Sequence, residues 1–160
     1  MDYRLIISTK EDSEFFMELF GEIKSSELLL DAWPEPLKSQ LVRMQYHAFA
    51  QSTLSEFPDC IDYVIVCQSQ KAGRLQLVKR ANGIRVVNIS LCAAFRGRGI
   101  VTAILKGLIT EANNLQIPVF LDVDKTNGPA FQIYRKLGFK IAQEDEIRYS
   151  LIYTALQQEP

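Results

Sequence analysis

The chain of 160 residues carries 18 lysines and arginines against 19 aspartates and glutamates, and 48% of its residues are hydrophobic. This length and hydrophobic content can fill one substantial core, so we expect a single domain over residues 1–160. A net charge of −1 disfavours general affinity for nucleic acid or for anionic membranes. The apolar runs are too short to cross a bilayer and the charged start lacks a signal-peptide core, so a cytoplasmic protein is expected.

Cysteine and histidine usage disfavours several kinds of site. The three cysteines, Cys60, Cys67 and Cys92, lack a CxxC spacing, and we expect them to be reduced packing residues. The single histidine, His47, gives little support to a zinc site or a serine–histidine triad. No metal is therefore expected.

The N-terminal part of the chain predicts one strand followed by helices. Residues 3–7 form the strand, and Thr9 or Asp12 can cap the helix that follows. Prolines within residues 31–36 interrupt the helical pattern because proline resists an interior helical position. The apolar spacing of a helix resumes over residues 37–54.

The rest of the chain is rich in predicted strands. These strands cover residues 61–67, 73–78, 84–91, 119–123, 139–142 and 147–153. Two helices lie between them, one from Gly99 to about Asn113 and one from Asn127 to Gly138. One α+β domain with a mixed, mostly antiparallel sheet fits this order best.

A glycine-rich turn, Phe95–Ile100, joins a predicted strand to a predicted helix. Its two glycines permit positive φ and close backbone approach, and the backbone N–H groups converge where the helix dipole is positive. Arg96 and Arg98 add mobile positive charge. The turn therefore predicts an anion site without indicating a reaction.

A second pattern follows the strand at residues 119–123. Asn127 precedes a helix on which Ala130 and Tyr134 are four residues apart and share a face. Tyrosine supplies a neutral proton donor, asparagine supplies an amide, and alanine leaves room for a ligand. The two helical residues therefore share a face with Asn127.

The two patterns together resemble the GNAT family of acyl-CoA-dependent N-acyltransferases over residues 61–153. The motif residues read Arg96-x-x-Gly99-x-Val101, then Asn127-x-x-Ala130-x-x-x-Tyr134, then Gly138-Phe139. Val101 departs from the family, which has glycine or alanine there, and its isopropyl group can crowd a pyrophosphate.

The resemblance implies a GNAT-like sheet flanked by helices, in which two splayed parallel strands end at Leu91 and Val123. The pantetheine arm of acetyl-CoA is expected in this wedge, paired with backbone of Leu91 and Ala93 as an added strand would be. The pyrophosphate is expected on backbone N–H groups of the turn. The implied cofactor-binding residues are Leu91, Ala93, Arg96, Gly97, Arg98, Gly99, Ile100, Val101, Thr102 and Asn127.

The implied reaction transfers an acetyl group from acetyl-CoA to a primary amine of a small molecule or peptide by direct attack. A backbone N–H near Leu91 stabilises the oxyanion, and Tyr134 protonates the departing thiolate. Asn127 orients the pantetheine arm, caps its helix, or does both. The base is not readable, because Arg85 and Asn88 are poor bases. Asp122 and Asp124 alternate onto one face of their strand, but the sequence leaves the orientation of that face open. Proton loss through a water chain is equally acceptable.

Other interpretations remain open. A non-catalytic acyl-CoA-binding regulatory or interaction domain would explain Val101 and the missing base. A P-loop nucleotide-binding protein has weak support, because no Gly-Lys-Ser/Thr follows the turn. The acceptor amine is not identified, and a homodimer is compatible with the sequence. Side chains that can form an acceptor pocket are Trp33, Glu35, Tyr46 and Phe49. The alternative is that the aromatic residues join the core, which is favoured for Phe49.

Overall fold

The computed structural model describes residues 2–155, which form two compact units. The N-terminal unit comprises Asp2–Leu75 and Ser90–Arg96, and the C-terminal unit comprises Gln76–Ile89 and residues 97–155. The single domain expected from the sequence stays a prediction.

The strands form a seven-stranded mixed sheet. They are β1 Arg4–Ile7, β2 Ile61–Cys67, β3 Gln70–Arg80, β4 Gly83–Leu91, β5 Val119–Asp124, β6 Lys140–Glu144 and β7 Arg148–Tyr153. Their order is β1-β2-β3-β4-β5-β7-β6. β4 and β5 are parallel, whereas β1 with β2, β5 with β7, and β6 with β7 are antiparallel. The predicted mixed, mostly antiparallel sheet is therefore confirmed.

Four α-helices flank the strands within residues 2–155. They are α1 Ser13–Glu27, α2 Glu35–Glu56, α3 Ile100–Leu115 and α4 Gly128–Lys136. Short 3-10 turns cover Lys10–Asp12, Leu30–Ala32 and Ala93–Phe95.

Two helix starts differ in detail from the sequence prediction. Thr9 caps the 3-10 turn Lys10–Asp12 rather than α1, because its hydroxyl accepts from the Glu11 amide at 3.3 Å and Asp12 accepts from the Thr9 amide at 2.8 Å. Asp12 occupies the N-cap position of α1 but makes no side-chain cap hydrogen bond there. α2 begins at Glu35, so the prediction that it starts after both prolines was wrong. Pro36 fits the first helical turn because the N–H that proline lacks has no helical partner there.

The hairpin between β2 and β3 is tighter than predicted. Gln68 and Ser69 both have left-handed backbone, with φ of 52° and 62°, as two-residue hairpin turns require. β3 consequently begins at Gln70, whereas the sequence suggested a strand from Gly73.

The C-terminal unit has the core expected from the helical spacing. α3 buries Ile100, Ile104, Leu105, Leu108 and Ala112. β5 alternates buried and outward-facing residues, with Val119, Leu121 and Val123 buried. This alternation exposes Asp122 and Asp124 together, as their spacing predicts.

The parallel neighbours β4 and β5 pair only over their first residues. The pairs run from Ile84 with Val119 to Val86 with Leu121, and no further β4–β5 pair occurs within residues 2–155. β5 instead pairs with β7 along its whole length, from Val119 to Asp124. This limited pairing is the arrangement expected of parallel strands that diverge.

Candidate functional site

The turn before α3 is held by two glycines in left-handed conformation. Gly97 has φ of 74° and Gly99 has φ of 79°. A Cβ added at either position would meet nothing within 4 Å, so the backbone conformation rather than lack of space requires glycine. Gly99 is the N-cap of α3, and its carbonyl accepts the first helical hydrogen bond from the Ala103 amide at 3.0 Å.

The amides of the first turn of α3 come before Ala103 in the chain and have no acceptor within the helix. Ile100, Val101 and Thr102 therefore direct N–H groups towards the positive end of the helix dipole. Ile100 is 1% exposed and anchors the turn in the core, whereas Gly97 to Gly99 lie at the surface. Such a cluster of backbone donors is suited to a phosphate group.

The second pattern forms the start of α4. The Asn127 side-chain oxygen accepts a 3.3 Å hydrogen bond from the Ala130 amide, so the predicted cap is confirmed. Tyr134 lies one turn after Ala130 on the same helix. Asn127 is exposed, which leaves its amide nitrogen accessible to a ligand.

Tyr134 is a buried phenol suited to proton donation. The residue is 7% exposed, and its ring lies 6.1 Å from that of Phe139. Burial disfavours the phenolate and raises the pKa of Tyr134 above its ordinary value of 10.0. The group therefore stays protonated at neutral pH.

The end of β4, in the N-terminal unit, is already hydrogen-bonded. The Leu91 carbonyl accepts from Nε of Arg96 at 3.1 Å, and the Ala93 amide donates to Oε1 of Glu22 at 2.6 Å. Nη2 of Arg96 lies 3.7 Å from the same Glu22 oxygen. Sequence reasoning missed Glu22, because it lies 71 residues from Ala93 and no motif singles it out among the carboxylates of α1.

At this end β4 lies very close to β3. A Cβ added to Gly73 would lie 2.1 Å from the Ser90 carbonyl oxygen, so only glycine fits. The Cys92 amide donates to the Ala72 carbonyl at 2.8 Å. Burial, and then the negative charge of Glu22, raise the pKa of the Cys92 thiol. A protonated thiol is a poor nucleophile, which agrees with a packing role.

The suggested acceptor-pocket residues do not share one environment. Tyr46 is 8% exposed and belongs to a core cluster with Phe16 and Val64, so of its two alternatives the core applies and the acceptor pocket does not. Phe49 packs on Phe20, with ring centroids 5.6 Å apart. The contact between these two rings removes part of the surface of each ring from water.

The other two suggested residues are accessible. Trp33 is 46% exposed, and a carboxylate oxygen of Glu35 lies 3.9 Å from the ammonium nitrogen of Lys38. These two remain acceptor-binding candidates.

The described residues reveal no obvious base or metal ligand set. Asp122 lies 3.9 Å from Arg85, and Asp124 lies 3.5 Å from Arg148, so each carboxylate has a cationic neighbour. His47 is exposed on α2. Within residues 2–155 no three His, Cys, Asp or Glu side chains are grouped as a metal site would require, and no helix there is long and apolar enough to span a membrane.

Sequence comparison gives one family match. The model of the Acetyltransferase (GNAT) family matches residues 25–139. Curated protein sequences give no significant match.

Solved structures of similar fold include several acetyltransferases. PaiA N-acetyltransferase from Thermoplasma acidophilum, in complex with coenzyme A, has a TM-score of 0.71 at 18% identity, covering 96% of this chain and 99% of that chain. The ribosomal-protein-S18-alanine N-acetyltransferase from Escherichia coli has a TM-score of 0.66 at 15% identity, covering 99% and 97%. Campylobacter jejuni N-acetyltransferase PseH, in complex with acetyl coenzyme A, has a TM-score of 0.62 at 15% identity, covering 96% and 99%.

Proposed function

Because the chain belongs to the GNAT acetyltransferase family, we propose that it transfers the acetyl group of acetyl-CoA to a primary amine of a small molecule or peptide. Family membership carries the acetyl transfer. The amine acceptor is the further step, which the N-acetyltransferases of similar fold support. Tyr134 is the observation that carries the proposed transfer from the thioester. A buried phenol with a raised pKa, one turn beyond the Asn127–Ala130 cap, is a suitable acid for a leaving thiolate.

The turn before α3 supports acetyl-CoA as the donor. The amides of Ile100, Val101 and Thr102 follow two left-handed glycines and can bind the pyrophosphate. Arg98 is exposed in this turn and can contact phosphate oxygens with its guanidinium. The coenzyme A and acetyl coenzyme A complexes of PaiA and PseH support the same donor for this chain.

The proposed chemistry is direct transfer. The neutral amine attacks the thioester carbonyl carbon, forming a C–N bond and a tetrahedral oxyanion. A backbone N–H near Leu91 stabilises that oxyanion. The C–S bond then breaks, the Tyr134 hydroxyl gives its proton to the departing thiolate, and the amine loses its extra proton to water. Solvent returns a proton to Tyr134 after each cycle.

A non-catalytic acyl-CoA-binding domain is the second candidate. The lack of an evident base within residues 2–155 favours it, because Asp122 and Asp124 each have a cationic neighbour, at 3.9 Å and 3.5 Å. The branched Val101 side chain at the turn is a second observation in its favour.

Thiol release from acetyl-CoA separates the two candidates. We expect thiol release that depends on one class of primary amine, above the rate with acetyl-CoA alone. Tyr134→Phe should bind coenzyme A as the parent does while losing this activity, which makes it the matched control. Coenzyme A binding without turnover across polyamines, aminoglycosides, amino sugars and peptide N-termini would support the non-catalytic candidate.

A further inference from the structure

The side chains of Glu22 and Arg96 offer the backbone at the end of β4 the same hydrogen-bonding groups as an amide does. Oε1 of Glu22 accepts from the Ala93 amide at 2.6 Å, as an amide carbonyl would. Nε of Arg96 donates to the Leu91 carbonyl at 3.1 Å, as an amide N–H would. A pantetheine arm that adds to the strand end would offer the same acceptor and the same donor.

These contacts support one another. Nη2 of Arg96 lies 3.7 Å from the Glu22 oxygen that binds Ala93, so the two side chains form an ion pair across the two backbone groups. The Ala93 amide has a single proton. It cannot donate fully to Glu22 and to a ligand carbonyl at the same time.

We propose that Glu22 and Arg96 form a latch, in which their side chains occupy the Ala93 amide and the Leu91 carbonyl. Coenzyme A must then displace Glu22 before its pantetheine arm binds. This inference rests on the proposed function, because it takes coenzyme A as the ligand. Both latch side chains are about half exposed, at 43% for Glu22 and 49% for Arg96, so water can solvate them when they leave. The latch therefore weakens cofactor binding without blocking it.

Glu22→Ala tests the latch directly. Removing a charge-assisted, partly exposed competitor should tighten coenzyme A binding by about threefold to tenfold. Glu22→Gln keeps an oxygen that can accept from Ala93 but loses the charge, so its affinity should be intermediate. Glu18→Ala is the matched control, because it removes the same charge from α1 one turn earlier and leaves the Glu22 contacts in place.

Two measurements test the latch independently. Calorimetric titration with coenzyme A measures affinity, and hydrogen exchange of the Ala93 amide, measured without ligand, should be faster in Glu22→Ala than in the parent and Glu18→Ala. Coenzyme A affinity that is equal or weaker in Glu22→Ala would overturn the latch while leaving the proposed function in place. If neither the parent nor Glu22→Ala binds coenzyme A, both the latch and the proposed function are wrong. Binding by Glu22→Ala alone would support a latch stronger than stated.

Discussion

Asn127 and Ala130 are joined by a 3.3 Å hydrogen bond from the Ala130 amide to the Asn127 side-chain oxygen. This bond fixes the first turn of α4, and Tyr134 follows one turn later. The cap thus sets the position of the proposed acid as well as the start of the helix. It uses only the oxygen of the Asn127 side chain, so the amide nitrogen can still donate to a ligand.

Substitutions at Asn127 should separate its two roles. Asn127→Asp keeps an acceptor for the Ala130 amide, so the melting temperature should stay near that of the parent. It loses the N–H donors and adds a negative charge, so the KM for acetyl-CoA should rise by about fivefold to tenfold. Asn127→Ala should raise KM and also lower the free energy of unfolding by about 1 kcal/mol. An unchanged KM in Asn127→Asp would restrict Asn127 to capping.

Tyr134→Phe should lower kcat and leave cofactor affinity nearly unchanged. The substitution removes the proton donor but keeps the buried ring and its contact with Phe139. Loss of general acid catalysis lowers rates by about 10²–10⁴-fold. Steady-state kinetics and coenzyme A titration measure the two effects. Phe131→Leu, at another aromatic position of α4, is a control for nonspecific disturbance of the helix. Parent-like kcat in Tyr134→Phe would refute the acid assignment.

Burial of Tyr134 also predicts how stability changes at alkaline pH. Its folded pKa is raised above the ordinary 10.0, so above that pH the unfolded chain releases the phenol proton first. The unfolded state then binds fewer protons, and the free energy of unfolding falls as pH rises towards the folded pKa. Measured by urea unfolding between pH of about 9 and 11, this decline should be steeper in the parent than in Tyr134→Phe. Equal slopes would contradict the buried, neutral phenol.

Val101→Ala should tighten coenzyme A binding. Val101 is half-buried in the first turn of α3, and its isopropyl group lies beside the amides proposed to bind pyrophosphate. Relief of crowding worth about 1 kcal/mol corresponds to roughly fivefold in Kd. Ile109→Val, further along α3, is a control that trims a branched side chain away from the turn. Equal Kd values for Val101→Ala and the parent would show that the turn accommodates valine.

Local patterns were sufficient to predict the elements that hold the proposed turn and acid. The spacing of Ile100, Ile104 and Leu108 identified the buried face of α3, since a helix that packs on one side repeats every 3.6 residues. Asn127 was identified as a cap from its type and place alone. In both cases the deciding interactions are between residues close in sequence.

Contacts between distant residues could not be predicted in the same way. Glu22 meets Ala93 across 71 residues, and only the placement of α1 selects Glu22 from the other carboxylates of that helix. The sequence left Tyr46 open between an acceptor pocket and the core, and it lies in the core because α2 directs it at Phe16 and Val64. Helical periodicity indicates that a face is buried without identifying its partner.

The pair formed by Arg74 and Asp62 should be a major stabiliser of the N-terminal unit. The Arg74 guanidinium donates hydrogen bonds of 2.9 and 2.7 Å to the Asp62 carboxylate and lies 4.0 Å from the centroid of the Phe16 ring. Arg74 is 9% exposed, so Asp62→Ala would leave a buried cation without its partner. We expect the free energy of unfolding to fall by roughly 2–4 kcal/mol.

Urea unfolding measures this loss, and Asp31→Ala is its matched control. Asp31 also pairs with a cation, Lys38, at 3.5 Å, but its side chain is 88% exposed. Removing that exposed partner should change stability by less than about 1 kcal/mol, because water screens the charges and solvates the lysine that remains. The difference between the two variants isolates the effect of burial. An equally small fall in the free energy of unfolding in both variants would contradict the prediction. It would mean that water solvates Arg74 once Asp62 is removed, so that burial does not make the pair stabilising.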